Sequence, residues 1–147
     1  MGSTFLSIHL HVVFSTKNRL PLIRDAWRPQ LHRYLGGTVR GLAAVPEAIG
    51  GVADHMHLLI GFQATHRLAD FMRELKKASS LWITESHSPG FAWQEGYSAF
   101  SVSATHVQAL KKYIATQDAH HHKLDFATEL KNLLNKNGIS FDPKYLL

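Results

Sequence analysis

A strict alternation near the start of the chain restricts the fold most. In residues 5–15, FLSIHLHVVFS, Leu6, Ile8, Leu10, Val12 and Phe14 point to one side, and Ser7, His9 and His11 to the other. A period of two over that length is a half-buried β-strand, not a helix. The same period returns at 55–61, with Met56, Leu58 and Ile60 on one face and His55, His57 and Leu59 on the other. Residues 45–52 read as its hairpin partner across Ala53-Asp54, and two further short strands are expected near Phe91–Gln94 and Ser98–Val102.

Between the strands the period becomes helical. Asp25 reads as the N-cap of a helix with Trp27, Leu31, Leu35, Val39 and Leu42 inward. Pro29 is best tolerated at the first helical position, which points to a later start. Thr65 is expected to cap a second helix that turns Leu68, Phe71, Met72, Leu75, Ser79 and Trp82 inward and stops at Ser88-Pro89-Gly90. A third helix, 104–122, follows Ser103 with Val107, Leu110 and Ile114 inward. A fourth, 126–137, runs from Asp125 to Gly138 in the C′ position. The order β-α-β-β-α-β-β-α-α predicts an α+β fold: a ferredoxin-like, RRM-like antiparallel sheet with helices on one face. With 147 residues, the chain is expected to form one domain, 1–147.

Composition narrows the function. Lys and Arg number 16 against 11 Asp and Glu, a net charge of +5. That balance fits a polyanionic partner, nucleic acid being the commonest, and fits plain solubility charge as well. The absence of cysteine excludes disulfides, thiolate-bound zinc, iron–sulfur clusters and a thiol nucleophile. No apolar run nears the ~18 residues of a membrane span. MGSTFLSIHL lacks the features of a signal peptide, and Leu6 breaks the myristoylation pattern. A cytoplasmic protein without membrane contact is expected. The 11 histidines are an excess of the commonest metal ligand.

In Asp54-His55-Met56-His57 the two histidines sit two apart on a strand, so their imidazoles project side by side while Met56 enters the core. Such a pair is either a rigid metal platform or part of a solvated or partner-covered face. Tyr113, Gln117 and His120, at i, i+4 and i+7, would share one helical face. Tyr113 falls at the edge of the apolar stripe, where the ring packs and the hydroxyl stays accessible; a boundary tyrosine has the same spacing. His120-His121-His122 diverge by ~100° each and cannot all chelate one ion; they read as mostly solvated, with His120 or His121 a candidate for phosphate contact. Lys17 and Arg19 follow the first strand, and Arg73, Lys76 and Lys77 lie on the outer side of the second helix; all are candidates for phosphate contact or for simple solvation. Trp93, Tyr97 and Phe100 suit either base stacking or the core. Gly36-Gly37 and Gly50-Gly51 lack a following G-K-[ST], so no Walker-type loop is present.

Six segments occur together and in order: HVVFSTK at 11–17, DHMHLL at 54–59, FAWQEGY at 91–97, AFSVS at 99–103, YIATQ at 113–117 and FDPKYLL at 141–147. Their combination resembles the single-tyrosine HUH transposases of small bacterial insertion sequences, the IS200-like transposases and their repeat-associated relatives, over nearly the whole chain. The resemblance implies an enzyme that cuts and rejoins single-stranded DNA beside folded hairpins. It implies that His55, His57 and Gln117 hold Mg²⁺ or Mn²⁺. It implies that Tyr113 attacks the scissile phosphate to give a 5′-phosphotyrosine and a free 3′-OH. A homodimer is implied too, with the tyrosine helix docking in trans on the partner's histidines; a cis arrangement needs only that the helix fold back on its own sheet. The alternatives are a catalytically idle DNA- or RNA-binding protein of the same fold, and a metal-dependent phosphoesterase in which water attacks.

Overall fold

The computed structural model describes residues 2–117 and 124–146. Strands β1 (His9–Ser15), β2 (Val45–Gly51), β3 (His55–Gly61) and β4 (Ser98–Val102) form one antiparallel sheet in the order β2-β3-β1-β4. Helices α1 (Arg28–Gly41) and α2 (Leu68–Ser86) fill the two crossovers. This is the expected ferredoxin-like frame. Alternation decides which side each residue meets. Val12, Phe14, Met56, Leu58 and Ile60 pack against Leu31, Leu35 and Val39 of α1 and Phe71, Met72, Leu75 and Ile83 of α2. Each such buried aliphatic or aromatic side chain contributes about 1.5–3 kcal/mol.

The two later helices do not join that face. Helix α3 (Val107–Ala115) packs Val107 and Ile114 on Leu59, and α4 (Phe126–Lys136) packs Phe126, Leu130 and Leu134 on Val13 and Phe100. Leu59, Val13 and Phe100 are apolar residues on the sheet side that α1 and α2 leave open, and burying them requires a second layer. The sheet is therefore covered on both sides, and β1 is buried from His11 to Ser15 rather than in alternation.

Several boundaries differ from expectation. The strand at 5–15 begins only at His9, and Phe5 and Leu6 are exposed. Residues near Phe91–Gln94 supply one isolated bridge, Trp93 to Thr16, instead of a strand. The caps of α1 and α2 are Trp27 and Arg67, not Asp25 and Thr65; Asp25 instead pairs with Arg28 at 2.9 Å. Asp125 does cap α4, accepting from the Thr128 amide at 2.8 Å, and Gly138 follows at φ +68°. Helix α3 ends at Ala115, and the part of the expected helix from 118 to 122 lies outside the described residues. Its C-cap Thr116 donates from Oγ1 back to the Lys112 and Tyr113 carbonyls, a bond that competes with continuation of the helix.

Gly50 fixes how α3 sits. It pairs with His57 across β2 and β3, and a Cβ there would lie 2.2 Å from the Ile114 carbonyl oxygen. Only a glycine allows this approach of helix end to strand. Gly37, on the exposed side of α1, has no atom within 4 Å of such a Cβ. Gly50→Ala should therefore lower stability by about 1–3 kcal/mol, whereas Gly37→Ala should raise it by about 0.5–1 kcal/mol. Urea denaturation of both variants beside the parent checks the opposite signs.

Candidate active site

Strand β3 turns His55 and His57 toward α3 and α4, and both are fully buried. Their outer nitrogens meet one atom: His55 Nε2 lies 3.3 Å and His57 Nε2 3.1 Å from Oε1 of Glu129, itself buried on α4. The other oxygen of Glu129 accepts from the Tyr113 hydroxyl and lies 3.5 Å from Gln117 Nε2. The ring of Tyr113 meets that of His57 edge to face, with centroids 5.8 Å apart. Phe126 stacks on His55 at 4.2 Å. Each histidine is also held from behind. His55 Nδ1 donates to Asp54 Oδ1 at 2.7 Å, and His57 Nδ1 is hydrogen-bonded to His11 Nε2 at 2.8 Å.

The charges of the cluster are coupled. Burial works to raise the pKa of Glu129, but hydrogen bonds from His55 and His57 outweigh it and hold the carboxyl far below its usual range. Burial works to lower His55, yet the bonds to Asp54 and Glu129 leave it raised. For Tyr113, burial and then the bond to Glu129 push the phenol well up. His11, desolvated and beside His57, is lowered from 6.5 to about 3 and stays neutral.

His55, His57 and Glu129 each offer a ligand atom, and these atoms lie within 4.8 Å of one another. Two imidazoles and a carboxylate suit a divalent ion such as Mn²⁺. Gln117 adds a buried Oε1 with no hydrogen-bond partner among the described residues, a donor atom left over at the edge of the cluster. The residues present thus fit a metal site.

Of the residues singled out in the sequence, His55, His57, Tyr113 and Gln117 come together. Gln117 does so from beyond the C-cap of α3, not from its helical face. Lys17 and Arg19 lie in a 3₁₀ turn after β1, at the end where Ser15 pairs with His55; Asn18 and Arg19 have φ near +57° and +54°. Arg73, Lys76 and Lys77 are on α2, across the sheet from the cluster. Arg73 pairs with Asp70 and Glu74, and Lys76 Nζ donates to the Gln94 and Gly96 carbonyls at 2.6 and 2.7 Å. His120 lies outside the described residues. Trp93 and Phe100 are core residues, and Tyr97 is exposed. Glu129 and His11 were missed. The available signal for Glu129 was its place three residues after Phe126, on the apolar side of the fourth helix. Tyr113 reaches His57 of its own chain.

The family model described as "Transposase IS200 like" matches residues 4–117. No curated protein sequence matches the chain significantly. Among solved structures, one from Deinococcus radiodurans R1, assigned as a candidate transposase, is 24% identical with a TM-score of 0.63, covering 80% of this chain and 96% of that one. A REP-associated tyrosine transposase bound to a REP hairpin is 15% identical with a TM-score of 0.61, covering 84% of this chain and 76% of that one. Both likenesses are likenesses of fold. Glu129 lies beyond the residues that the family model matches.

The lowered pKa of His11 gives the stability a sign. Between pH 6.5 and about 3 the unfolded chain binds a proton at this position that the folded chain excludes. Stability therefore falls as pH drops through that window, by at most about 1.4 kcal/mol per unit. His55, raised when folded, adds a slope of the opposite sign near the top of the window. Urea midpoints measured from about pH 6.5 to about pH 5 should fall more steeply for the parent than for His11→Gln.

Proposed function

The chain belongs to the family of IS200-like transposases, and on that premise we propose that it cuts and rejoins single-stranded DNA beside hairpins through Tyr113. One observation carries the reading: the Tyr113 hydroxyl and the Nε2 atoms of His55 and His57 converge on a single buried carboxylate. A phenol nucleophile and a cation site are thereby in contact, the arrangement that attack on a phosphodiester needs. The hairpin bound by the similar REP-associated transposase supports the choice of substrate.

His55, His57 and Glu129, with Gln117 Oε1 beside them, would hold Mg²⁺ or Mn²⁺. The bound ion would neutralise charge on the phosphate and favour the deprotonated form of Tyr113. Without that added charge the site keeps the phenol protonated, since burial and the Glu129 carboxylate both raise it. In the reaction the Tyr113 oxygen bonds to phosphorus and the bond to the 3′ oxygen breaks. A 5′-phosphotyrosine and a 3′-OH result, and the reverse displacement rejoins strands without a nucleotide cofactor. Lys17 and Arg19, at the end of the sheet where Ser15 pairs with His55, would meet the flanking phosphates. Arg73, Lys76 and Lys77, across the sheet, are left out of this reading.

The same reading puts the nucleophile in cis. The Gly50–Ile114 approach seats α3 on its own sheet, which supports cis over the trans arrangement expected for a homodimer. A dimer would then carry two complete sites.

Incubation with Mn²⁺ and hairpin-bearing single-stranded DNA from the ends of the encoding element should give a denaturation-resistant adduct. Tyr113→Phe should abolish it while leaving DNA binding within about twofold. Turnover without any adduct would favour the phosphoesterase, and binding with neither would favour the idle protein. Tyr113→Phe mixed with His55→Ala/His57→Ala should recover no cleavage; recovery in mixed dimers would establish trans sites.

A further inference from the structure

We propose that His11 is a positioning residue for the metal ligand His57, holding its Nδ1 by a hydrogen bond that can run in either direction. The inference rests on the metal reading of the site above. Strand register places it: Val13 pairs with His57, so His11 lies one residue pair along on the same face. Its Nε2 is 2.8 Å from His57 Nδ1, and the two rings stack at 5.1 Å with 22° between planes. Phe100, the partner of His11 on β4, closes the other side at 5.8 Å. Both imidazoles are buried, so neither turns away without breaking this packing.

The chemistry asks for a two-way partner. An imidazole ligates through a lone pair, so a bound His57 has a bare Nε2 and its hydrogen on Nδ1, which donates to His11. Without an ion, Nε2 faces the Glu129 carboxylate at 3.1 Å and carries the hydrogen. A neutral His57 then offers Nδ1 as an acceptor, and His11 must donate. A neutral imidazole does both by exchanging tautomers. The carboxylate of Asp54 behind His55 only accepts. The two ligands thus have different supports: a carboxylate that only accepts, and an imidazole that can accept or donate.

The test measures Mn²⁺ binding to the full chain by the free-ion electron paramagnetic resonance signal, with His57→Ala as reference. His11→Gln keeps the two-way bond, because an amide presents either oxygen or NH₂; it should bind within about threefold of the parent. His11→Phe and the smaller His11→Leu fill the space without the bond and should bind about 10–100-fold more weakly. In the Zn²⁺-loaded parent and in His11→Gln, the His57 Nδ1–H should be a slowly exchanging downfield proton resonance, absent from the apolar variants. Parental affinity in a folded His11→Phe or His11→Leu overturns the inference. So does equal weakening in His11→Gln. A parent that binds no Mn²⁺, or a His57→Ala that binds as tightly as the parent, overturns the metal reading and this inference with it.

Discussion

A carboxylate buried between two imidazoles governs the arrangement of this protein's second face. Taking Glu129 out of water is costly unless its charge is met. His55 and His57 meet it on one oxygen, Tyr113 and Gln117 on the other. The residues that satisfy Glu129 come from β3, α3 and the segment after α3, and they are those of the proposed chemistry. Removing one partner from such a buried set costs about 3–5 kcal/mol. In the proposed reading, a bound cation would take the place of the protons that Glu129 now faces.

The two faces of the sheet do different work. Toward α1 and α2 the contacts are apolar and continuous, from Val12 and Phe14 through Met56, Leu58 and Ile60. That side supplies the hydrophobic free energy and holds β1 and β3 in register. Toward α3 and α4 the apolar contacts split into two smaller groups, one around Leu59 and one around Val13 and Phe100. The polar cluster lies on β3 between them. Register on the firm side thereby sets the spacing of His11, His57 and His55 on the other. Gly50 sets the height of α3 above them through its contact with Ile114.

Much of this was legible in the sequence because it follows from local periodicity. Alternation in 55–61 placed His55 and His57 together and Met56 in the core, and the stripes of α1 and α2 named their buried residues. Order of elements was enough for the ferredoxin-like frame. What stayed hidden depends on distant pairing. His11 reads as one more polar-face residue until β1 is set against β3. Glu129 reads as the polar member of an amphipathic helix until that helix is placed over the histidines. The early end of α3 was hidden because Thr116 suits a helix by pattern and ends it by back-bonding. No helix among the described residues is long and apolar enough to cross a membrane, in keeping with the hydropathy of the chain.

His55, His57 and Glu129 are proposed to form one cation site in contact with Tyr113. Crystals of the protein grown with Mn²⁺ and measured at the manganese absorption edge test it most directly. The expected result is one strong anomalous peak in coordination distance of His55 Nε2, His57 Nε2 and a Glu129 oxygen, with the Tyr113 hydroxyl beside it. A peak confined to surface histidines, with the Glu129–imidazole contacts unchanged in the loaded crystal, would contradict it.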